Sequence, residues 1–134
     1  MPERAAPVLV LDRARAALPP GKRVLVVEDE VIVAMQLEDL LSDMGCHVVG
    51  PACRLEDALE LAEAGPLDAA VLDVNLNGRS VCPVAERLHA RGVPIVYATG
   101  YGLAGCKGLP EGPVLQKPYL PADLAVALRT VLAR

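Results

Sequence analysis

Val24-Leu25-Val26-Val27-Glu28-Asp29-Glu30 sets four apolar residues directly before three acids. Three other runs share this build. Ala69-Ala70-Val71-Leu72 ends on Asp73, Ile95-Val96-Tyr97-Ala98 ends on Thr99, and Val114-Leu115-Gln116 runs into Lys117-Pro118. A short apolar run bounded by polar residues reads as a strand buried on both faces. As parallel strands, the runs place their C-terminal ends along one edge of a sheet, where ligands bind in open α/β folds. Carboxylates, a hydroxyl and an amine far apart in sequence then converge.

The segments between the runs repeat one spacing. Val33, Leu37, Leu40, Leu41 and Met44 fall on one helical face, as do Leu55, Ala58, Leu59 and Ala62. Val81, Val84, Ala85 and Leu88 form a third stripe, and Leu124, Ala127, Leu128 and Val131 a fourth. Each is the i, i+3, i+4, i+7 pattern of a helix with one buried side. Gly45, Gly65 and Gly92 follow the first three stripes, where a left-handed C-terminal residue is wanted. Strands over 23–28, 47–50, 68–72, 94–98 and 113–116 then alternate with helices. This pattern predicts a flavodoxin-like, doubly wound α/β fold with a five-stranded parallel sheet in the order 2-1-3-4-5. Gly100 to Gly112 contains five glycines and Pro110, so the fourth helix of the series is expected to be short, weak or absent.

At 134 residues and 53% hydrophobic, the chain suits one domain with one core. Residues 1–20, closing on Pro19-Pro20-Gly21, read as a leader or linker outside that core, and 21–134 as the domain. With three Tyr and no Phe or Trp, the core is aliphatic and offers no stacking platform for bases. A net charge of −4 gives no basic footprint, so nucleic acid is not an expected partner. No apolar stretch approaches the roughly 20 residues of a membrane span. Cys46, Cys53, Cys82 and Cys106 form no C-x-x-C pair, and His47 and His89 add no zinc-type spacing. They read as small buried hydrophobes in a reducing, cytoplasmic setting.

Glu28, Asp29 and Asp73 brought together need a counter-charge, because two carboxylates about 4 Å apart repel by roughly 4 kcal/mol at an effective dielectric of 20. A hard divalent cation with oxygen ligands answers this, and Mg²⁺ suits few carboxylates with several waters. Lys117 adds a mobile positive charge. A carboxylate beside such a cation can attack phosphorus and form an acyl phosphate. Asp73 stands alone at its strand end and is the better nucleophile; the Glu28-Asp29 pair is the better metal holder. A lone Asp after a strand is ordinarily a turn residue, and a lone Lys-Pro an ordinary loop. Their joint occurrence at strand ends is what carries the reading.

On these motifs, residues 22–133 resemble a response-regulator receiver domain of two-component signalling. The resemblance implies that Glu28 and Asp29 bind metal, Asp73 accepts the phosphoryl group, Thr99 is the switch hydroxyl and Lys117 binds phosphate. It also implies that Asn75 offers its backbone carbonyl to Mg²⁺, that the Lys117-Pro118 bond is cis, and that the phosphoryl donor is a histidine kinase or phosphotransfer protein. Two residues depart from the common pattern. Glu28 stands where many members have Asp, and Val114 where many have a switch aromatic. The run Tyr97-Ala98-Thr99-Gly100-Tyr101 resembles a subgroup with a Phe-Ala-Thr-Gly signature, associated with HWE-type histidine kinases. In that subgroup the region after the threonine tends to be mobile. The expectation is that phosphorylation orders residues 100–112, with Thr99 as lever; Tyr101 is either a substitute aromatic or an ordinary surface-loop aromatic.

Two other function classes compete. A small Mg²⁺-dependent aspartyl-phosphate phosphatase would place a second Asp two residues after the nucleophile, where this chain has Asn75. A pseudo-receiver, a pure interaction module, would not need the intact acids and Lys117. The receiver reading makes the chain a signalling domain rather than a turnover enzyme, either a single-domain regulator or the receiver of a hybrid kinase.

Overall fold

Strand β1 (Arg23–Val27) is buried from Val24 onward. Its alternate side chains supply two cores, Leu25 and Val27 on one side and Val24 and Val26 on the other. The computed structural model describes residues 18–100 and 108–133. Beyond β1, the chain runs through α1 (Val31–Asp43), β2 (His47–Ala52), α2 (Leu55–Glu63), β3 (Ala69–Asp73), β4 (Asn75–Leu76), β5 (Arg79–Ser80), α3 (Cys82–Ala90), β6 (Ile95–Thr99), β7 (Val114–Gln116) and α4 (Pro121–Leu132).

Five strands form one parallel sheet in the order β2-β1-β3-β6-β7, which is the predicted 2-1-3-4-5 once the short β4–β5 hairpin is set aside. Helices α2 and α3 cover the face that carries Leu25, Leu72 and Tyr97. Helices α1 and α4 cover the face that carries Val24, Val71 and Val96. The helical stripes bury as their spacing demands: Leu37 and Leu41 on α1, Ala58 and Ala62 on α2, Val84, Ala85 and Leu88 on α3, Leu124, Leu128 and Val131 on α4. On α1 the buried residues are Ala34, Leu37 and Leu41, and Val33 and Leu40 are only half-buried at the margin of that face. The glycines after the first three helices, Gly45, Gly65 and Gly92, all have positive φ, at 92°, 66° and 74°. The end of α2 is closed by Arg91, which donates to the carbonyls of Ala62 and Gly65.

Three features differ from the expectation. Leu18 is buried at 6% exposure against Leu37, Leu41 and Met44, and its amide donates to the Met44 carbonyl at 3.2 Å, so the core begins before the expected boundary at residue 21. Residues 1–17 of the expected leader lie outside the described residues. Strand β2 continues past residue 50 through a cis Gly50-Pro51 bond to Ala52, with a register shift against β1 between Leu25 and Val27. The β4–β5 hairpin was not expected at all. Most of the weak-helix segment, residues 101–107 including Tyr101, lies outside the described residues; residues 108–113 are not helical.

Candidate functional site

Register explains why the charged residues meet. Val27 pairs with Leu72, so Glu28 and Asp73 leave the sheet side by side. Asp73 pairs with Ala98, and Thr99 with Gln116, which sets Thr99 and Lys117 one step further along the same edge. The Lys117 amide donates to the Thr99 carbonyl at 2.8 Å, and the Val74 amide to the Ala98 carbonyl at 3.1 Å, so both loops start from fixed backbone. Glu28, Asp73 and Thr99 are all buried.

Glu28, Asp29 and Asp73 each present a carboxylate oxygen, and these oxygens lie within 4.8 Å of one another. The Lys117 amine stands 2.6 Å from Glu28 Oε1 and 3.4 Å from Asp73 Oδ2. One amine thus pairs with two of the three clustered carboxylates. This all-oxygen donor set with excess negative charge fits a hard divalent cation such as Mg²⁺. The crowding shows in the protonation equilibria. Burial, then the hydrogen bond and charge of Glu28, push the Asp73 carboxyl up to about 7 against the opposing charge of Lys117. Burial also works to raise Asp29, but hydrogen bonding with Glu28, the Asn77 amide and Asp73 leaves it below its ordinary value. Burial works to lower Lys117, and Glu28 and Asp73 together hold it above its usual value.

The backbone holds the acids in place. The Glu28 amide donates to the Ala52 carbonyl at 3.0 Å, a contact that needs β2 to run on past Gly50. The Asn77 amide donates to Asp29 Oδ2 at 2.9 Å, and the Asn75 amide to Asp73 Oδ1 at 3.3 Å. Asn77 and Gly78 both have positive φ, 52° and 84°, at the two-residue tip between the Leu76–Arg79 pair. Asn-Gly is the strongest short hairpin signal a sequence offers, so this turn is legible in the sequence itself. The Asn75 side chain accepts from the Gly78 amide at 2.7 Å and is committed to that turn. The Lys117-Pro118 bond is cis, as the resemblance implied.

The family model described as response regulator receiver domain matches residues 24–129. The chain belongs to this family. Receiver domains are the signalling domains of two-component systems and bind Mg²⁺ in an acidic site of this kind. The receiver is 30% identical over 126 residues to the transcriptional regulatory protein PdtaR of Mycobacterium tuberculosis, covering 90% of this chain but 60% of PdtaR. It is 41% identical to SdrG of Sphingomonas melonis Fr1, whose solution structure superposes with a TM-score of 0.74, covering 86% of this chain and 99% of that one. The receiver domain of the sensor histidine kinase PA1611 from Pseudomonas aeruginosa PAO1 shares the fold at 24% identity, with a TM-score of 0.76 over 85% of this chain and 99% of its own, and was crystallised with magnesium in its active-site cleft. Among the described residues, no helix of the receiver is long and apolar enough to cross a membrane.

Proposed function

We propose that this receiver accepts a phosphoryl group on Asp73 from a histidine kinase or phosphotransfer protein, with Mg²⁺, and thereby alters a partner-binding surface. The observation that carries the reading is the Lys117 amine set between Glu28 and Asp73 inside a cluster of three carboxylates. Nucleophile, counter-charge and metal-holding acids are then in one place. In the transfer, a carboxylate oxygen of Asp73 forms the new O–P bond as the N–P bond of the donor phosphohistidine breaks. The imidazole leaves with the bonding pair and takes up a proton. Glu28, Asp29, Asp73 and the Asn75 carbonyl would hold the metal. When bound, Mg²⁺ supplies positive charge that favours ionised Asp73 and neutralises the transferring oxygens. Lys117 moves from Glu28 to the phosphoryl group, and the Thr99 hydroxyl donates to a phosphoryl oxygen. Water later attacks phosphorus, the Asp73 O–P bond breaks, and inorganic phosphate leaves with the Asp73 carboxylate restored, which ends the signal.

The Tyr97-Ala98-Thr99-Gly100 run supports membership of the subgroup associated with HWE-type kinases. The half-exposed Val114 supports a readout without the common switch aromatic. The phosphatase reading lacks its second acid, since Asn75 closes a turn instead.

Incubation with acetyl phosphate and Mg²⁺ followed by intact mass tests the proposal. One added phosphoryl group on the wild type, none on Asp73→Asn and none with excess EDTA are expected. An unlabelled wild type, beside a control receiver that labels, favours the interaction-module reading. A labelled Asp73→Asn variant places the acceptor elsewhere.

A further inference from the structure

Tyr97 is the one aromatic among the buried residues of the described core, at 1% exposure in the middle of β6. Its hydroxyl donates to the Pro110 carbonyl at 2.5 Å. Its amide donates to the Pro113 carbonyl at 2.8 Å. Leu109 packs against the same core cluster. Gly112 lies so close to β6 that a Cβ there would stand 2.2 Å from the Ile95 carbonyl oxygen. The stretch 109–113 is therefore attached to β6 at both ends and pressed on it between.

Tyr97 and Thr99 sit two residues apart on one strand, so both side chains project to the same sheet face. Tyr97 is in register with Leu72, and Ala98 with Asp73. The hydroxyl that reads the acceptor and the hydroxyl that holds the return segment are thus carried by one short strand beside the acceptor strand.

We propose that the Tyr97 hydroxyl is a latch on the Pro110 carbonyl, and that a phosphoryl group on Asp73 opens it by drawing Thr99 toward the acceptor. The inference rests on the phosphoacceptor reading. It also turns the expected change around for this stretch. Residues 109–113 are already held in the structure, so the change open to them is release. Held by its two hydrogen bonds to Tyr97 and by the close backbone approach at Gly112, the segment sits on β6 or lifts from it, and a small strand shift becomes a two-position response. Burial pushes the phenol up to about 12, so it remains a protonated donor through the physiological range.

Tyr97→Phe keeps the ring and removes the donor. Solution NMR is recorded on wild type and variant, each with and without beryllium fluoride plus Mg²⁺ as phosphoryl mimic, following the Leu109, Glu111 and Gly112 amides. The mimic is expected to move the wild-type resonances toward the positions they hold in unliganded Tyr97→Phe, with the released population raised about tenfold by loss of one hydrogen bond. The variant is expected to label with acetyl phosphate as the wild type does and to show little further movement with the mimic. Wild-type fluorine spectra with fluorotyrosine give a readout that needs no variant to fold: the Tyr97 resonance shifts on adding the mimic. A wild type that labels but leaves these resonances in place overturns the latch alone, as does a Tyr97→Phe protein that responds like wild type. A wild type that fails to label overturns the phosphoacceptor reading and the latch with it.

Discussion

The Lys117 amine stands 2.6 Å from Glu28 Oε1, nearer to this acid than to Asp73. The side chain of Glu28 is 3% exposed, so its charge has little water to lean on. Lys117→Ala would leave a buried carboxylate without its partner, which typically costs about 3–5 kcal/mol. Part of that loss is recoverable, because a divalent cation can replace the missing charge. Urea unfolding should show a large stability loss in EDTA and a smaller one in Mg²⁺. Equal losses in both would mean that the amine and the metal do not answer the same carboxylates.

The Asp73 carboxyl, pushed up to about 7 by burial and by Glu28, sets a pH dependence. Its ordinary value is 3.8. Between the two, the folded state binds a proton that the unfolded state does not. Stability therefore falls as pH rises through this window, by at most about 1.4 kcal/mol per pH unit from this group. Asp29, held below its ordinary value, acts the other way and only at the acid end, where its contribution is lost as pH falls. On the proposed reading, protons compete with metal for Asp73. The thermal shift produced by Mg²⁺ should accordingly be larger at pH 8 than at pH 6, by differential scanning fluorimetry with EDTA controls. A shift independent of pH would contradict it.

Gly112→Ala should be severe although the position is not a left-handed one. The new Cβ would meet the Ile95 carbonyl oxygen at 2.2 Å, and backbone cannot turn aside as a side chain can. Overpacking of this kind costs about 1–3 kcal/mol or more. The midpoint of urea unfolding should drop. Gly100→Ala, where nothing lies within 4 Å, should leave it nearly unchanged. Similar midpoints for both variants would show that the return segment does not press on β6.

The strand ends were legible because short apolar runs alternate with helical stripes, and parallel register then aligned Glu28, Asp73, Thr99 and Lys117. The burial read from the runs held for β1, β3 and β6 but not for β7, whose residues are exposed or half-buried at the sheet edge. The bulge that runs β2 on to Ala52 was not legible. Gly50-Pro51 reads locally as a strand terminator, and only the tertiary pairing of Ala52 with β1 overrides that. The Tyr97–Pro110 contact was hidden for another reason. A buried phenol needs a partner, but the sequence does not show which carbonyl a glycine-rich return will offer. The Asn77-Gly78 hairpin, by contrast, carried its own signal.

Leu18 tests where the domain starts. It is buried with Leu37, Leu41 and Met44. Leu18→Ala should lower stability by about 2–5 kcal/mol, measured by urea unfolding. A chain beginning at residue 21 should lose at least as much. Wild-type stability in either would return the boundary to the position expected from Pro19-Pro20-Gly21.

Partner contact can be separated from chemistry on α1. Val31, Ile32 and Met35 are exposed by 60%, 73% and 58%, in the first turns after the acids Glu28 and Asp29. On the proposed phosphoacceptor reading, three large apolar side chains in the first turns after Glu28 and Asp29 are what a helical phosphodonor would bury, and a few such residues dominate binding energy at an interface. Acetyl phosphate needs no such surface. Ile32→Glu should therefore label with acetyl phosphate at the wild-type rate but accept phosphoryl from a histidine kinase that labels the wild type at least about tenfold more slowly, the effect of losing about 1.4 kcal/mol. Parallel time courses with the two donors measure this. Equal slowing with both donors would place Ile32 in support of the site itself, and no slowing with either would move the docking surface off this end of α1.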